Sequence, residues 1–459
     1  MSEPVGLWTP ERRALTLGLV VVITLVAFES LAVVTVMTAV ARDLGGLELY
    51  GWAFSAFFLG NLVGIVFAGL LIDRYGPVRP FAIGATLFAI GLLAGGLAPT
   101  MPLLVLGRLV QGFGGAAVPT VAYVAIGRGY PAAVRPRMFA LLSTAWVVPG
   151  IVGPGLAGVV ADQLSWRLVF LALIPVVGAA GVVVLRSLRT LPALTDEADL
   201  PDARRRLVAA VAVALGAGLL LTAATITRPL ETVALAIVGL AIGLPALRRL
   251  LPPGTLRAAR GVPSVVLARG CSTFAFFGAE AFVPLALVSL RDLSLTEAGL
   301  LLTAATLTWT AGSWVQAHLV TRVGQPRLIG AGFVFLSVGL TGVASVLVPA
   351  VPVAATIAAW GCGGFGMGLL YSAMTQVVLV EARPEEQGAA SSAINLSDVL
   401  GSAIGTGAGG ALVAYGEAAG LGLATALAAV FAVMIGVAVA GILVSTRLEA
   451  RGGHVAAGG

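Results

Sequence analysis

This sequence predicts an all-α integral membrane protein: two pseudo-symmetric six-helix bundles with two further spans between them, fourteen transmembrane helices in all. Three observations carry that expectation. First, the 459 residues are 59% hydrophobic and only 10% charged, with a mean hydropathy of +1.03, which leaves too little polar surface to wrap a soluble core. Second, apolar runs of about 20 residues recur nearly end to end, the length a helix needs to cross a bilayer and about twice that of a barrel strand. Third, segments of the first half recur in the second half at a nearly constant offset, the mark of an internal repeat.

Taken in order, the uncharged runs place spans near 15–41, 49–72, 80–98, 101–127, 138–162 and 166–185. Two follow at 207–227 and 229–247, and six more at 262–290, 297–320, 328–348, 352–380, 388–414 and 418–444. This divides the chain into an N-terminal bundle (1–186), a linker with the two extra spans (187–261), and a C-terminal bundle with its tail (262–459). The charged start, with Glu3, Glu11, Arg12 and Arg13, runs directly into an apolar stretch longer than a signal h-region and is read as the first span. The linker from Arg186 to Arg206 has an acidic centre, Asp196, Glu197, Asp199 and Asp202, and reads as a solvated connector.

Every basic residue is arginine. With both termini in the cytoplasm, Arg42, Arg167, Arg228 and Arg291 fall outside, Arg108 and Arg269 lie within spans, and the other 21 of the 27 fall inside. That asymmetry satisfies the positive-inside rule and explains the net charge of +6 without a nucleic-acid partner. Cys271 and Cys362 both sit in apolar segments, so neither a disulfide framework nor a metal site is expected. His318 and His454 read as surface residues. Without lysine there is no GxxxxGK[ST] phosphate loop, and no nucleophile–base pair is visible, so ATP hydrolysis and other enzyme chemistry are not expected.

The repeat rests on three pairs. LLIDRYGPVRP (70–80) matches HLVTRVGQPRL (318–328), QGFGGAA (111–117) matches GGFGMGL (363–369), and PGIVGPGLAG (149–158) matches GSAIGTGAGG (401–410). The last two pairs share an offset of 252 residues. Prolines and glycines weaken a helix in water, but in lipid neighbouring helices supply the missing packing, so 148–158 reads as a bent, closely packed interface helix.

Chemistry is expected from the few charges inside the spans. Glu29 and Glu280 lie near the middle of the first span of each half, 251 residues apart. An ionised, unpaired carboxylate at bilayer depth costs several kcal/mol, so such a group faces the protein interior and is a candidate proton carrier. Asp398 is a third such acid, nearer the cytoplasmic side. Arg108 cannot discharge itself and needs an acid or several carbonyls as partners; it is expected to set the proton affinity of Glu29. Arg269 and Glu280 are eleven residues apart on one helix, about 16 Å along its axis and too far to bond, so Arg269 is expected to snorkel toward the cytoplasm. Asn61, Gln111, Trp309 and Tyr371 are candidate cavity residues, with Trp309 the preferred ligand contact; Trp52, Trp146, Trp314, Phe365 and Gln376 are further polar or aromatic residues within spans.

These residues resemble the major facilitator superfamily, and more narrowly its fourteen-span drug:proton antiporters. GLLIDRYGPVR (69–79) is similar to the superfamily's loop signature through Asp73, Arg74, Gly76 and Arg79, LGRLVQGFGGAA (106–117) to its fourth-span signature, and PGIVGPGLAG to the fifth-span signature of exporters through Gly150, Gly153, Pro154, Gly155 and Gly158. The resemblance implies two bundles rocking about a central cavity lined by spans 1, 4, 9 and 12. It also implies a cytoplasmic gate in which Asp73 caps a helix of the other half when that side is closed. It departs from the antiporter pattern where Glu29 and Thr38 replace an aspartate and a proline, and where Thr321 stands in place of Asp73 in the second half. The function implied is proton-coupled export of hydrophobic or cationic small molecules, multidrug efflux of the kind that confers antibiotic resistance, from a bacterial cytoplasmic membrane. The chain would act as a monomer, with no cofactor beyond the proton gradient and no nucleic-acid partner. The alternative is export of an endogenous lipid or secreted metabolite through the same fold.

Overall fold

The computed structural model describes residues 6–9, 12–131, 133–191, 200–226, 228–382 and 387–448. Asp196, Glu197, Asp199, Arg383, Arg451 and His454 lie outside the described residues. Among the described residues, thirteen helical segments are long and apolar enough to cross a membrane. In chain order they are α1 (Arg13–Leu44), α2 (Leu47–Tyr75), α3 (Val78–Gly96), α4 (Met101–Gly129), α5 (Arg137–Gln163), α6 (Trp166–Leu188), α7 (Ala203–Thr225), α8 (Pro229–Leu250) and α9 (Val262–Leu290), then, beyond α10, α11 (Gln325–Leu347), α12 (Val353–Val378), α13 (Ala389–Ala418) and α14 (Leu423–Ser445). Between α9 and α11, the helix α10 (Leu295–Val323) is 29 residues long and brings the set to fourteen. It is less apolar because Thr303, Thr306, Thr308, Thr310, Ser313 and Gln316 interrupt its leucines.

Prolines set the interruptions. The regular helical run is interrupted at Ala116 in α4, at Ala145 and Trp146 in α5, at Ala172 in α6, and at Ala281 and Phe282 in α9, although φ and ψ there stay in the right-handed α region. Each break lies two to four residues before a proline, Pro119, Pro149, Pro175 and Pro284, where the missing N–H and the ring disturb the preceding turn. Pro154 lies inside the helical run, so the interruption of α5 precedes the glycine-rich segment instead of falling within it.

Helices α1 to α6 form one bundle and α9 to α14 the other, and the repeat is visible atom by atom in their packing. In the first bundle, a Cβ on Gly60 would strike Leu109 and one on Gly112 would strike Phe57, so α2 and α4 touch backbone to backbone. In the second, Gly312 meets Phe365 and Gly364 meets Ala305, locking α10 to α12 at positions 252 residues further on. Small residues at such crossings let helices approach where lipid offers no hydrophobic driving force.

The bundles meet through two seams, α5 against α10 and α2 against α13. Each seam uses one copy of the third repeated segment. Gly158 packs on Leu295 and Thr296, with Gly299 against Pro154, and Gly410 packs on Gly51. Ser55 Oγ donates to Ala403 O at 2.8 Å, Tyr50 Oη to Ala281 O at 2.9 Å, and Arg42 to Val288 O at 3.2 Å. All these contacts lie in the half of the molecule away from the termini, here called the far face. The buried core there draws on both bundles, whereas the core around Leu19, Val121, Ile126 and Val184, toward the terminal face, belongs to the first bundle alone. The direct contacts named here between the two bundles thus lie at the far face.

The extra pair breaks the symmetry. Gly216 packs on Gly239 and Gly243 to hold α7 to α8, and α7 lies along the seam between α2 and α13, sharing a buried cluster with Leu59 and Leu62 on one side and Leu396, Leu400 and Ala403 on the other. Only 17% of the α8 window is buried, so α8 presents apolar residues such as Leu230, Val233 and Ile237 outward.

Candidate functional site

In the first bundle the site is an ion pair. Arg108 on α4 and Glu29 on α1 are 3% and 1% exposed and bond directly through Arg108 Nη1 and Glu29 Oε1. The same nitrogen donates to Gln111 Oε1 at 2.8 Å, Nε donates to Ala53 O at 3.2 Å, and the guanidinium lies 4.3 Å from the ring centroid of Phe57. An arginine out of water needs several acceptors and a π face to replace hydration, and α1, α2 and α4 supply all of them. Glu29 Oε2 and Gln111 Nε2 make no hydrogen bond among the described residues. Asn61 Nδ2 donates to Gly112 O at 3.4 Å one turn away.

The second bundle holds a different network. Arg269 is 3% exposed, donates from Nη1 to Tyr371 O at 3.0 Å and from Nη2 to Thr375 Oγ1 at 2.9 Å, and sits 3.3 Å from the Tyr371 ring centroid. Its Nε lies 3.8 Å from Asp398 Oδ1, and Tyr371 Oη donates to Asp398 Oδ2 at 2.8 Å. The expectation that Arg269 snorkels toward the cytoplasm is thus corrected. Helices α12 and α13 bring it a hydroxyl, a carbonyl, an aromatic face and an acid, which make burial the better solution. Arg269 Nε and Asp398 Oδ1 have no hydrogen-bond partner of their own.

An aromatic ladder leads from this network toward Glu280. Tyr371 contacts Trp309 at 5.2 Å, Trp309 contacts Phe276 at 5.3 Å, and Phe276 stacks on Trp360 at 4.8 Å between centroids. Phe277 meets Phe58 of the other bundle at 6.3 Å. Glu280, one helical turn beyond Phe276, is 8% exposed and lacks any hydrogen bond or ion pair among the described residues. Trp309 and Tyr371 are half-buried on this ladder. Trp52 instead packs toward Gly218 of α7, and Phe365 against Phe335 in an apolar groove with Ala304, Thr308 and Ile357.

At the terminal face Asp73 is exposed and, among the described residues, bonded to nothing in the second bundle, while Arg74 and Arg79 stack on Tyr75 at 5.0 and 4.9 Å. Gly76 has φ +75°, a left-handed turn that glycine adopts without strain and that closes α2 before α3. Gly150, Gly153, Gly155 and Gly158 line the face of α5 toward α1 and α10, against Thr306, Phe28, Leu300 and Thr296. Sequence reasoning missed two groups: the Arg269 network and Asp162, which bonds the start of α10. The signal for the first was present in the Thr375–Tyr371 spacing of one turn, which puts both on one face of α12. Among the described residues no cluster of His, Cys, Asp and Glu could hold a metal.

Comparison with known proteins bears on the whole chain. The model of the Major Facilitator Superfamily matches residues 17–200 and 265–456. The chain is 28% identical over 416 residues to the uncharacterized transporter YebQ of Escherichia coli (strain K12), covering 87% of this chain and 89% of that one. It is 25% identical over 403 residues to the multidrug transporter protein MdtP of Bacillus subtilis (strain 168), 86% of this chain and 74% of that one. Multidrug resistance protein 3 of the same organism is 30% identical over 164 residues, which span 36% of this chain and 32% of that one. Among solved structures, the peptide transporter PepTSo superposes with a TM-score of 0.70 at 12% identity over 95% of this chain and 98% of that one. The bacterial homologue of the lysosomal transporter Spinster, in an inward-facing conformation, gives 0.67 at 16% over 96% and 98%. With the family model matching both bundles on either side of the two extra helices, the chain belongs to the Major Facilitator Superfamily.

Proposed function

We propose that this transporter exports hydrophobic or cationic small molecules in exchange for protons by alternating access, with its terminal face toward the cytoplasm. The observation that carries the reading is the buried Glu29–Arg108 pair, in which one carboxylate oxygen is bonded to the arginine and the other is free of any hydrogen bond. Such a group gains or loses a proton at the cost of rearranging a single ion pair, and the rearrangement is transmitted to α2 through Ala53 and Phe57. Asp398, bonded by Tyr371 and near Arg269, and the unpartnered Glu280 are the acids that the second bundle contributes.

Relatedness to multidrug transporters supports the substrate class, and the ladder of Tyr371, Trp309 and Phe276 offers flat apolar faces suited to aromatic compounds. The excess of arginine at the terminal face supports its cytoplasmic placement. On that orientation the exposed Asp73 lies at the cytoplasmic face. One proton moving inward across 100 mV supplies about 2.3 kcal/mol, which sustains a gradient of a neutral compound on the order of fiftyfold.

Proteoliposomes loaded at acid pH test the reading. Adding a lipophilic cationic dye is expected to draw protons out of the lumen with the purified protein and not with Glu29→Gln. Dye movement with no proton movement would leave a facilitator and remove the antiport reading.

A further inference from the structure

We infer that Asp162 is a positioning residue that latches the far face by capping, across the bundle interface, the N-terminus of α10. The proposal rests on the alternating-access part of the proposed function, not on its substrate class.

Asp162 is the penultimate residue of α5 and α10 begins at Leu295. The first turn of any helix leaves N–H groups with no intrahelical acceptor. In α10 they are divided between two caps. Ser294 and Glu297 form a capping box within the second bundle, Ser294 Oγ accepting from Glu297 N at 3.2 Å and Glu297 Oε2 from Ser294 N at 2.8 Å. Asp162, from the first bundle, accepts from Leu295 N at 3.3 Å, from Thr296 N at 2.9 Å and from Thr296 Oγ1 at 2.7 Å. A negative charge there also meets the positive end of the helix dipole. An independent feature fixes the approach: Gly158, one turn before Asp162, lies against Leu295 and Thr296 so closely that no side chain fits.

The division has a consequence. The internal cap keeps the start of α10 folded whether or not the bundles touch, so releasing Asp162 costs contacts but does not unravel the helix. A cap supplied from the other bundle forms only when the far face is shut. The carboxylate thus adds its capping energy to one conformational state alone, which is what a latch must do. Among the described residues Asp73 at the opposite face is bonded to nothing in the second bundle in this same structure, so the two acids mark opposite ends of the rocking motion.

The test is spin-label distance measurement on the full-length protein in lipid, in a Cys271→Ala, Cys362→Ala background. One label pair goes on the far face, at Leu164→Cys and Leu421→Cys, and one on the terminal face, at Tyr75→Cys and Val380→Cys; all four positions are exposed. Asp162→Ala is expected to lower the ratio of far-face-closed to far-face-open molecules about fivefold, the usual effect of removing an N-cap. Thr296→Val, which keeps its N–H and loses only the hydroxyl, should produce a smaller shift in the same direction and serves as the readout should Asp162→Ala fold poorly. In the double variant Thr296→Val should add nothing to Asp162→Ala. Unchanged distance distributions in both single variants would overturn the latch. A shift in populations with no transport of any dye would instead retain the latch and remove the substrate reading.

Discussion

Arg108 illustrates how a single residue type dictates its surroundings. Because guanidinium stays charged, its burial at 3% exposure requires acceptors from α1, α2 and α4 together. Either Arg108→Ala or Glu29→Gln breaks the buried pair and should destabilise the protein by up to about 3–5 kcal/mol, with Arg108→Ala the milder because the stranded Glu29 can take up a proton while the guanidinium cannot lose one; thermal unfolding in detergent ranks the two. The pH dependence of transport should also change in Arg108→Ala. An unchanged profile would separate the pair from proton coupling. On the other side, Tyr371→Phe removes the hydroxyl that donates to Asp398 and should cost about 1 kcal/mol, with a larger effect on transport than on stability. That Arg108 needs an acid was legible in the sequence, because arginine cannot discharge itself and Glu29 was the acid at the right depth. Arg269 was not, because its neighbours on its own helix say nothing about Tyr371 and Asp398, which come from helices over a hundred residues later.

Among the elements, most spans were legible because apolar length is a local property. Even α10, whose hydroxyl-rich face lowers its hydropathy, was legible: a span was expected over 297–320 and the helix runs Leu295–Val323. Interruptions follow proline chemistry at Pro119, Pro149, Pro175 and Pro284, whereas Pro154 lies inside an unbroken helical run, so Pro154 alone was a poor guide to where α5 yields. Glycines at crossings give a sharp expectation. Gly112→Leu and Gly364→Leu should each cost about 1–3 kcal/mol or more by overpacking against Phe57 and Ala305, whereas Gly69→Leu, with no atom near its Cβ position, should leave unfolding unchanged. Equal loss at all three sites would indicate a general helix-propensity effect instead.

At the scale of the molecule, the two seams are related by the repeat yet differ in what covers them. Helix α7 binds both α2 and α13, so that seam carries a strip of packing that must slide or flex as the bundles rock, while the α5–α10 seam is fastened at its far end by Asp162. Sequence could place two extra crossings in the middle of the chain but not the side of the interface they cover, because α8 is apolar around most of its surface and α7 has no charged stripe to orient it. Gly158→Leu should hold the far face apart and abolish transport while both bundles remain folded, a loss visible in distance measurements across that face.

The central claim is that Glu29, held by Arg108, couples proton movement to substrate movement. It is tested most directly by recording lumenal pH and dye flux together in proteoliposomes containing the purified protein, Glu29→Gln or Glu280→Gln. The expected result is stoichiometric proton release with the parent protein and dye movement uncoupled from protons, or absent, in Glu29→Gln. Full proton-coupled transport by Glu29→Gln would contradict it.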